Sequence, residues 1–290
     1  MAKKHIYDRK DASLVKDIDS MHAYMSYLMP KRTEAEVYIN ESFDITNLLK
    51  YLEEKNKSNP EKKITIFHCV LTAVYRVINT RPLLNRYIKR KRYYMRDKIS
   101  AGFTIKKQFT DGAAETLMIM KADENDNLDT VSDRILGEVK CARSKKIHGS
   151  DGPLETLKKL PRPIMSIVMA ALNFMDRYDL MPKSFMDMDT NYTSVLLSNL
   201  GSIKCDAVYH HLNNFGTNGI VITIGVIHKE AMIMNDGKAE IRDVMNIGAT
   251  LDERIADGFY FARSLKLIHH LFNNPELLDK PLKEEIDFEF

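Results

Sequence analysis

The chain has 290 residues, 44% hydrophobic and 29% charged, with 43 Lys and Arg against 40 Asp and Glu. That composition excludes a disordered or collagen-like chain and is long enough to bury a sizeable core. A net charge of +3 is too small to point to nucleic acid or an anionic membrane as partner.

Three scattered cysteines, Cys69, Cys141 and Cys205, argue against a disulfide framework and a zinc site, and for a reducing cytoplasm. The most apolar run, Ile164 to Met175, is 12 residues, short of the ~20 that a membrane span needs. The N-terminus meets Asp8 and Arg9 before any apolar run, unlike a secretory signal. No long linker, repeat or low-complexity tract divides the chain, so residues 1–290 read as one domain. The short breaks are Asn59-Pro60, Asp111-Gly112 and the stretch from His148 to Pro153.

Strands and helices alternate along the chain. A strand is predicted over Glu36 to Ile39, then a helix from Ile45 to Lys55 capped by Asp44, with Ile45, Leu48, Leu49 and Leu52 on one face. Ile64 to Ile78 is apolar nearly all round and is predicted as a buried helix. Tyr87 to Met95 and Ala101 to Ile105 read as strands, the first strongly basic. Asp129 opens a helix to about Lys146, and Leu154 to Tyr178 a helical region broken near Pro161 and Pro163. Thr193 to Leu197, Ile220 to Ile227, Ala231 to Met234 and Glu240 to Leu251 follow as strands, with a hairpin turn at Asn235-Asp236-Gly237. A last helix starts at Asp257-Gly258 and ends at Asn274-Pro275, and the acidic tail from Pro281 to Phe290 is expected to fray. This order implies a mixed sheet covered on one side by helices.

Basic and aromatic residues interleave from Arg86 to Arg96, a pattern that can bind single-stranded nucleic acid. With the chain nearly neutral, a solvated strand or hairpin is the expected reading, and contact with an anionic cofactor the functional exception. The pairs His210-His211 and His269-His270 present no chelating face, since neighbouring side chains diverge on a strand or a helix. No metal site is expected.

The most informative segments are Ser198-Asn199-Leu200-Gly201-Ser202 and Leu251-Asp252-Glu253-Arg254-Ile255-Ala256-Asp257-Gly258. On their own they read as a strand entering a turn and a strand entering a helix cap. Asp257 is then the cap, and Gly258 permits close backbone approach.

Together they resemble the CoA-dependent acyltransferase superfamily, which includes chloramphenicol acetyltransferase and the catalytic domain of 2-oxoacid dehydrogenase acyltransferases. Asp257-Gly258 stands where the family has the end of its His-x-x-x-Asp-Gly signature. Asp252, Arg254 and Asp257-Gly258 are similar to Asp-His-Arg-x-x-Asp-Gly. Thr193 to Gly201 resembles the strand ending Thr-Ile-Ser-Asn-Leu-Gly, Gly219 to Ile227 the strand after it, Phe43 to Leu52 the early strand-helix entry, and Arg81 to Asn85 a Pro-x-x-Asn helix exit.

The resemblance implies a two-layer α/β sandwich with a mixed sheet, like chloramphenicol acetyltransferase, without lipoyl or subunit-binding modules. It implies a homotrimer whose site lies at the subunit boundary, acyl-CoA as substrate, and no metal. Ser198 matches the hydroxyl that stabilises the oxyanion, and Asp257 the aspartate that holds the site's geometry. The catalytic histidine, the general base, is replaced by Glu253. An ordinary carboxylate is worse matched to a thiol than imidazole is, by about 3 kcal/mol or on the order of a hundredfold in rate. Two functions follow: an acyltransferase acting on a small thiol or hydroxyl through Glu253, or an inactive trimeric scaffold or acyl-CoA-binding protein. The residues that hold CoA are not identified by the resemblance.

Overall fold

The computed structural model describes residues 8–106, 115–143, 160–234 and 236–289. The strands among them are β1 (Ala12–Leu14), β2 (Glu36–Asp44), β3 (Arg86–Lys89), β4 (Arg92–Arg96), β5 (Ser100–Lys106), β6 (Glu115–Lys121), β7 (Val195–Asn199), β8 (Ile220–Ile233) and β9 (Ala239–Asp252). The helices are α1 (Ser20–Leu28), α2 (Thr46–Ser58), α3 (Ile66–Thr80), α4 (Leu128–Arg143), α5 (Arg162–Arg177), the single turn α6 (Lys183–Met186) and α7 (Gly258–Asn273). Six strands form one mixed sheet in the order β2-β9-β8-β7-β5-β6, and β1-β4-β3 form a small second sheet. The pairs β7/β8 and β5/β7 are parallel; the other pairs of the large sheet are antiparallel.

Alternation along the strands makes the two layers. Ile220, Ile222 and Ile224 of β8 and Met245, Ile247, Ala249 and Leu251 of β9 turn to one face, as do Val195 and Leu197 of β7. There they join Cys69, Val70, Ala73 and Val77 of α3 and Phe261, Leu267 and Leu271 of α7 in one buried cluster. The expected sandwich, a mixed sheet with helices on one side, is the observed one. Across the other face runs an extended segment, residues 205–211, seated on glycines. A Cβ on Gly225 would come within 2.3 Å of Asp206 Oδ1, and one on Gly248 within 2.8 Å of the Val208 carbonyl.

Several boundaries differ from expectation for local reasons. Strand β2 continues to Asp44, so α2 starts one residue late, with Asp44 Oδ1 accepting the Thr46 amide at 2.9 Å. The two strands predicted over 220–234 are one, with a register shift between Ile224 and Ile227. Helix α5 starts at Arg162 and keeps Pro163 in its first turn, where a missing N–H costs nothing. Asp111-Gly112, the 148–153 stretch, the start of the helix predicted from Leu154 and Asn235 lie outside the described residues. Gly237 (φ +81°) still marks the β8–β9 turn.

Two expectations are overturned. The basic run is not solvated: it folds back as the β3–β4 hairpin, with Tyr87, Tyr93, Tyr94 and Arg96 buried and only Arg90, Lys91 and Arg92 exposed. Nor does the tail fray. Arg76 is buried in α3, and its guanidinium must find acceptors there. It takes them from the tail, the carbonyls of Pro281 and Glu284, each at 3.0 Å, and of Lys280. Asn79 donates to Leu282 O at 2.9 Å, and Leu282 is buried.

Candidate active site

The loop after β9 is held at nearly every residue. Arg254 donates Nε and Nη2 to the two oxygens of Asp252, both at 2.7 Å, a bidentate fork with both side chains almost wholly buried. Its third nitrogen, Nη1, donates to Met29 O at 2.7 Å and so ties the loop to the end of α1. Ile255 and Ala256 are fully buried, and Asp257 Oδ1 accepts the Tyr260 amide at 2.7 Å as the N-cap of α7. Between the two halves of the fork sits Glu253. Its amide donates to Ala35 O at 2.9 Å, but among the described residues no group bonds its half-buried carboxylate.

The segment from Ser198 repeats this pattern. Asn199 accepts the Ser202 amide at 3.2 Å and so caps the turn Leu200–Ile203. Gly201 is required by packing, since a Cβ there would lie 2.4 Å from the Gly225 carbonyl oxygen. Ser198 shares with Leu196 the face away from the helices and is half-buried, and its hydroxyl has no hydrogen-bond partner among the described residues. Both motifs therefore surround one idle polar side chain with residues that have structural work.

Within the chain those two side chains do not meet. Ser198 pairs with Thr223 and Thr223 with Gly248, five residues before Glu253. Two strand spacings and five residue rises separate them by roughly 20 Å. Asp257, expected as cap and as keeper of site geometry, is a cap, and no ion pair reaches it among the described residues. Gly258, expected to permit close approach, does not serve that end within the chain: a Cβ there meets nothing within 4 Å.

Behind Glu253 lies a charged cluster that the sequence did not disclose. Arg32 is buried, donates to the Gly216 and Asn213 carbonyls and stands 3.8 Å from Asp252. Burial pushes its guanidinium down to about 10, against the pull of Asp252. Lys89 pairs with buried Asp176, which also accepts the Tyr192 hydroxyl at 2.9 Å and the Gly216 amide at 3.2 Å. Burial lowers the Lys89 ammonium to about 8, with Asp176 opposing. The four charged side chains, Arg32, Lys89, Asp176 and Asp252, come from four distant stretches, so only the fold assembles them. A cleft of about 330 Å³ opens above them, lined by Lys31, Arg90, Phe174, Arg177 and Arg254 among others. A larger cleft of about 710 Å³, beside Arg96 and Tyr192, touches none of the three expected site residues.

The histidine pairs have local partners. His269 stands 2.9 Å from Glu41 and packs on Phe43, while His210 and His211 stack on each other. Among the described residues no three His, Cys, Asp or Glu side chains are grouped to hold a metal.

The family model of the 2-oxoacid dehydrogenases acyltransferase (catalytic domain) matches residues 18–151 and 182–279. No curated protein matches the sequence. Among solved structures, the dihydrolipoamide acetyltransferase of Azotobacter vinelandii superposes with a TM-score of 0.62 at 14% identity, over 92% of this chain and 94% of that one. The probable dihydrolipoamide acetyltransferase of Listeria monocytogenes 4b F2365 gives 0.61 at 15%, over 90% and 94%. A chloramphenicol acetyltransferase gives 0.53 at 14%, over 90% and 99%. At such identities the likeness is one of fold. In the Azotobacter protein a serine, a histidine and an asparagine four positions beyond the histidine were investigated for roles in catalysis; Asp257 stands four positions beyond Glu253.

Proposed function

The chain belongs to the family of 2-oxoacid dehydrogenase acyltransferase catalytic domains, and on that premise we propose that it transfers an acyl group from acyl-CoA to a small thiol or hydroxyl acceptor. The proposed catalyst is a homotrimer, with Glu253 of one subunit facing Ser198 of the next across their boundary. One observation carries this reading: in two otherwise fully employed motifs, Ser198 and Glu253 are the polar side chains left without structural work. The open space before Gly258 supports it, being room for a neighbouring subunit or a substrate.

The steps balance without a further reactant. The Glu253 carboxylate takes the proton of the acceptor thiol or hydroxyl, and the freed nucleophile attacks the thioester carbonyl. The Ser198 hydroxyl donates a hydrogen bond to the tetrahedral oxyanion, an interaction whose loss typically costs about a hundredfold or more. Collapse expels the CoA thiolate, which recovers the proton from Glu253. Asp257 acts through the backbone, fixing the start of α7 and hence the loop.

A second reading, an inert trimer that binds acyl-CoA, is favoured by the carboxylate standing where the family has its histidine. Release of CoA thiol from acetyl-CoA, followed with a panel of acceptors, separates the two. The first reading expects turnover that falls in Glu253→Gln and in Ser198→Ala while CoA affinity holds. No turnover in wild type but turnover in Glu253→His would mean that the site has lost only its base. A monomer at micromolar concentration in sedimentation would remove the shared site and this mechanism with it.

A further inference from the structure

The family model leaves out residues 152–181, and that gap holds α5. On its outer side Ile164, Ile167, Ala171, Phe174 and Tyr178 recur at spacings of three and four, one stripe of a helix. The four large residues of the stripe are exposed, Ile167 at 69% and Phe174 at 56%. Among the described residues the inner side is anchored over its second half, where Leu172 and Met175 pack on the cluster of Met181, Met186 and Tyr192. Next to α5 is the β3–β4 turn, whose Arg90 lies over the Tyr178 ring at 4.6 Å; Lys91 lies over Tyr27 of α1 at 4.1 Å. Tyr27 continues the apolar surface with Tyr24 and Leu28, both more than 60% exposed.

We propose that this surface, α5 with the β3–β4 turn and the end of α1, is a docking face for an anionic lipid bilayer. Charge selects the occupant. Arg90, Lys91, Arg162 and Arg177 form no ion pair among the described residues, and no exposed carboxylate lies on α1, the turn or α5, since Asp176 is buried. A second copy of the same face would bring these cations against their like, whereas phosphate headgroups complement them. The cleft of about 330 Å³ opens within the patch as a place for a headgroup, with Arg90 and Arg177 around it; of its other charged groups, Lys31 pairs with Glu34 at 3.4 Å and Asp176 with Lys89. The apolar stripe from Ile164 to Tyr178 spans 15 residues, about 21 Å end to end, and suits a helix lying in the interface plane. The small net charge of the whole chain does not bear on this, because the cations are local.

Flotation of the full chain with phosphatidylcholine vesicles, with and without phosphatidylglycerol, tests the proposal. Binding only to the anionic vesicles, weakened by salt, is expected. Arg90→Asn with Lys91→Gly removes two charges and suits the positive φ of both positions; partitioning should fall about thirtyfold. Ile167→Glu with Phe174→Glu should abolish binding while circular dichroism and the sedimentation coefficient stay unchanged. Equal binding to neutral vesicles, no binding to either, or break-up of an oligomer by the glutamate pair would each overturn the proposal. The last outcome would make the face a contact between subunits.

Discussion

The loop Asp252–Asp257 and the helix α5 are opposite solutions to placing a segment at a protein's surface. In the loop two buried side chains neutralise each other, a third nitrogen reaches α1, and the lone idle carboxylate is held from both sides. In α5 the anchors gather at one end and the first two turns carry apolar side chains into the open. The first lies within the sequence the family shares, the second where the family model has no counterpart. The difference shows that a surface loop can be fixed at nearly every residue and still leave one carboxylate idle, and that the helix outside the family model is held at one end and open at the other.

The comparison breaks most visibly at Arg254. Arg254→Met takes both forked hydrogen bonds from buried Asp252, leaving it only the longer contact with Arg32 at 3.8 Å, and should cost about 3–5 kcal/mol in urea denaturation. Arg254→Lys should recover only part, because an ammonium cannot fork. A loss below 1 kcal/mol would mean that the loop is less constrained than its bonds imply. Next comes pH. His68 in α3 is buried, and burial lowers its pKa to about 4; the Thr65 amide donates toward Nδ1 at 3.5 Å. Its unfolded value is ~6.5, so the unfolded chain binds the extra proton across that window and stability falls as pH drops from about 6.5 to 4. The fall is on the order of 3 kcal/mol. Chemical denaturation at a series of pH values should show it, and His68→Gln should flatten the slope.

A smaller effect is expected at the helix cap. Asp257→Ala should cost about 1 kcal/mol, and Asp257→Ser much less, if capping is the residue's structural role. Turnover lost in the serine variant at full stability would show a catalytic role beyond the cap. Smallest of all, Ile167→Ser in α5 should change stability by no more than about 0.5 kcal/mol, since that residue is 69% exposed. A calorimetric loss several times larger would show that the helix is covered in solution.

What was legible in the sequence was whatever has a short period or a contiguous motif. Alternating isoleucines disclose β8, all-round apolarity discloses α3, and Asp257-Gly258 discloses the start of α7. Strands β1 and β6 and helix α1 escaped, because their residues acquire an inside only from distant neighbours. Ser13, for instance, meets Met95 in register. The solvated reading of Arg86 to Arg96 failed for the same reason: Arg96 is buried because the carbonyls of Tyr192 and Thr217 await it at 2.9 and 2.7 Å. The three candidate site residues could be named from a resemblance of motifs. Their separation within the chain could not, since it depends on strand order.

Strand order has a kinetic side as well. Among the described residues β2 pairs with β9 alone, with Glu36 opposite Asp252, and the parallel neighbours of β7 come from either side of it in sequence, β5 some ninety residues earlier. Loop-closure entropy must be met before such pairings return any stability, so formation of this sheet belongs to the slow, milliseconds-to-seconds end of folding rates. Until β9 is in place, β2 and β8 both expose unpaired edges, and the waiting chain is at its most prone to aggregate.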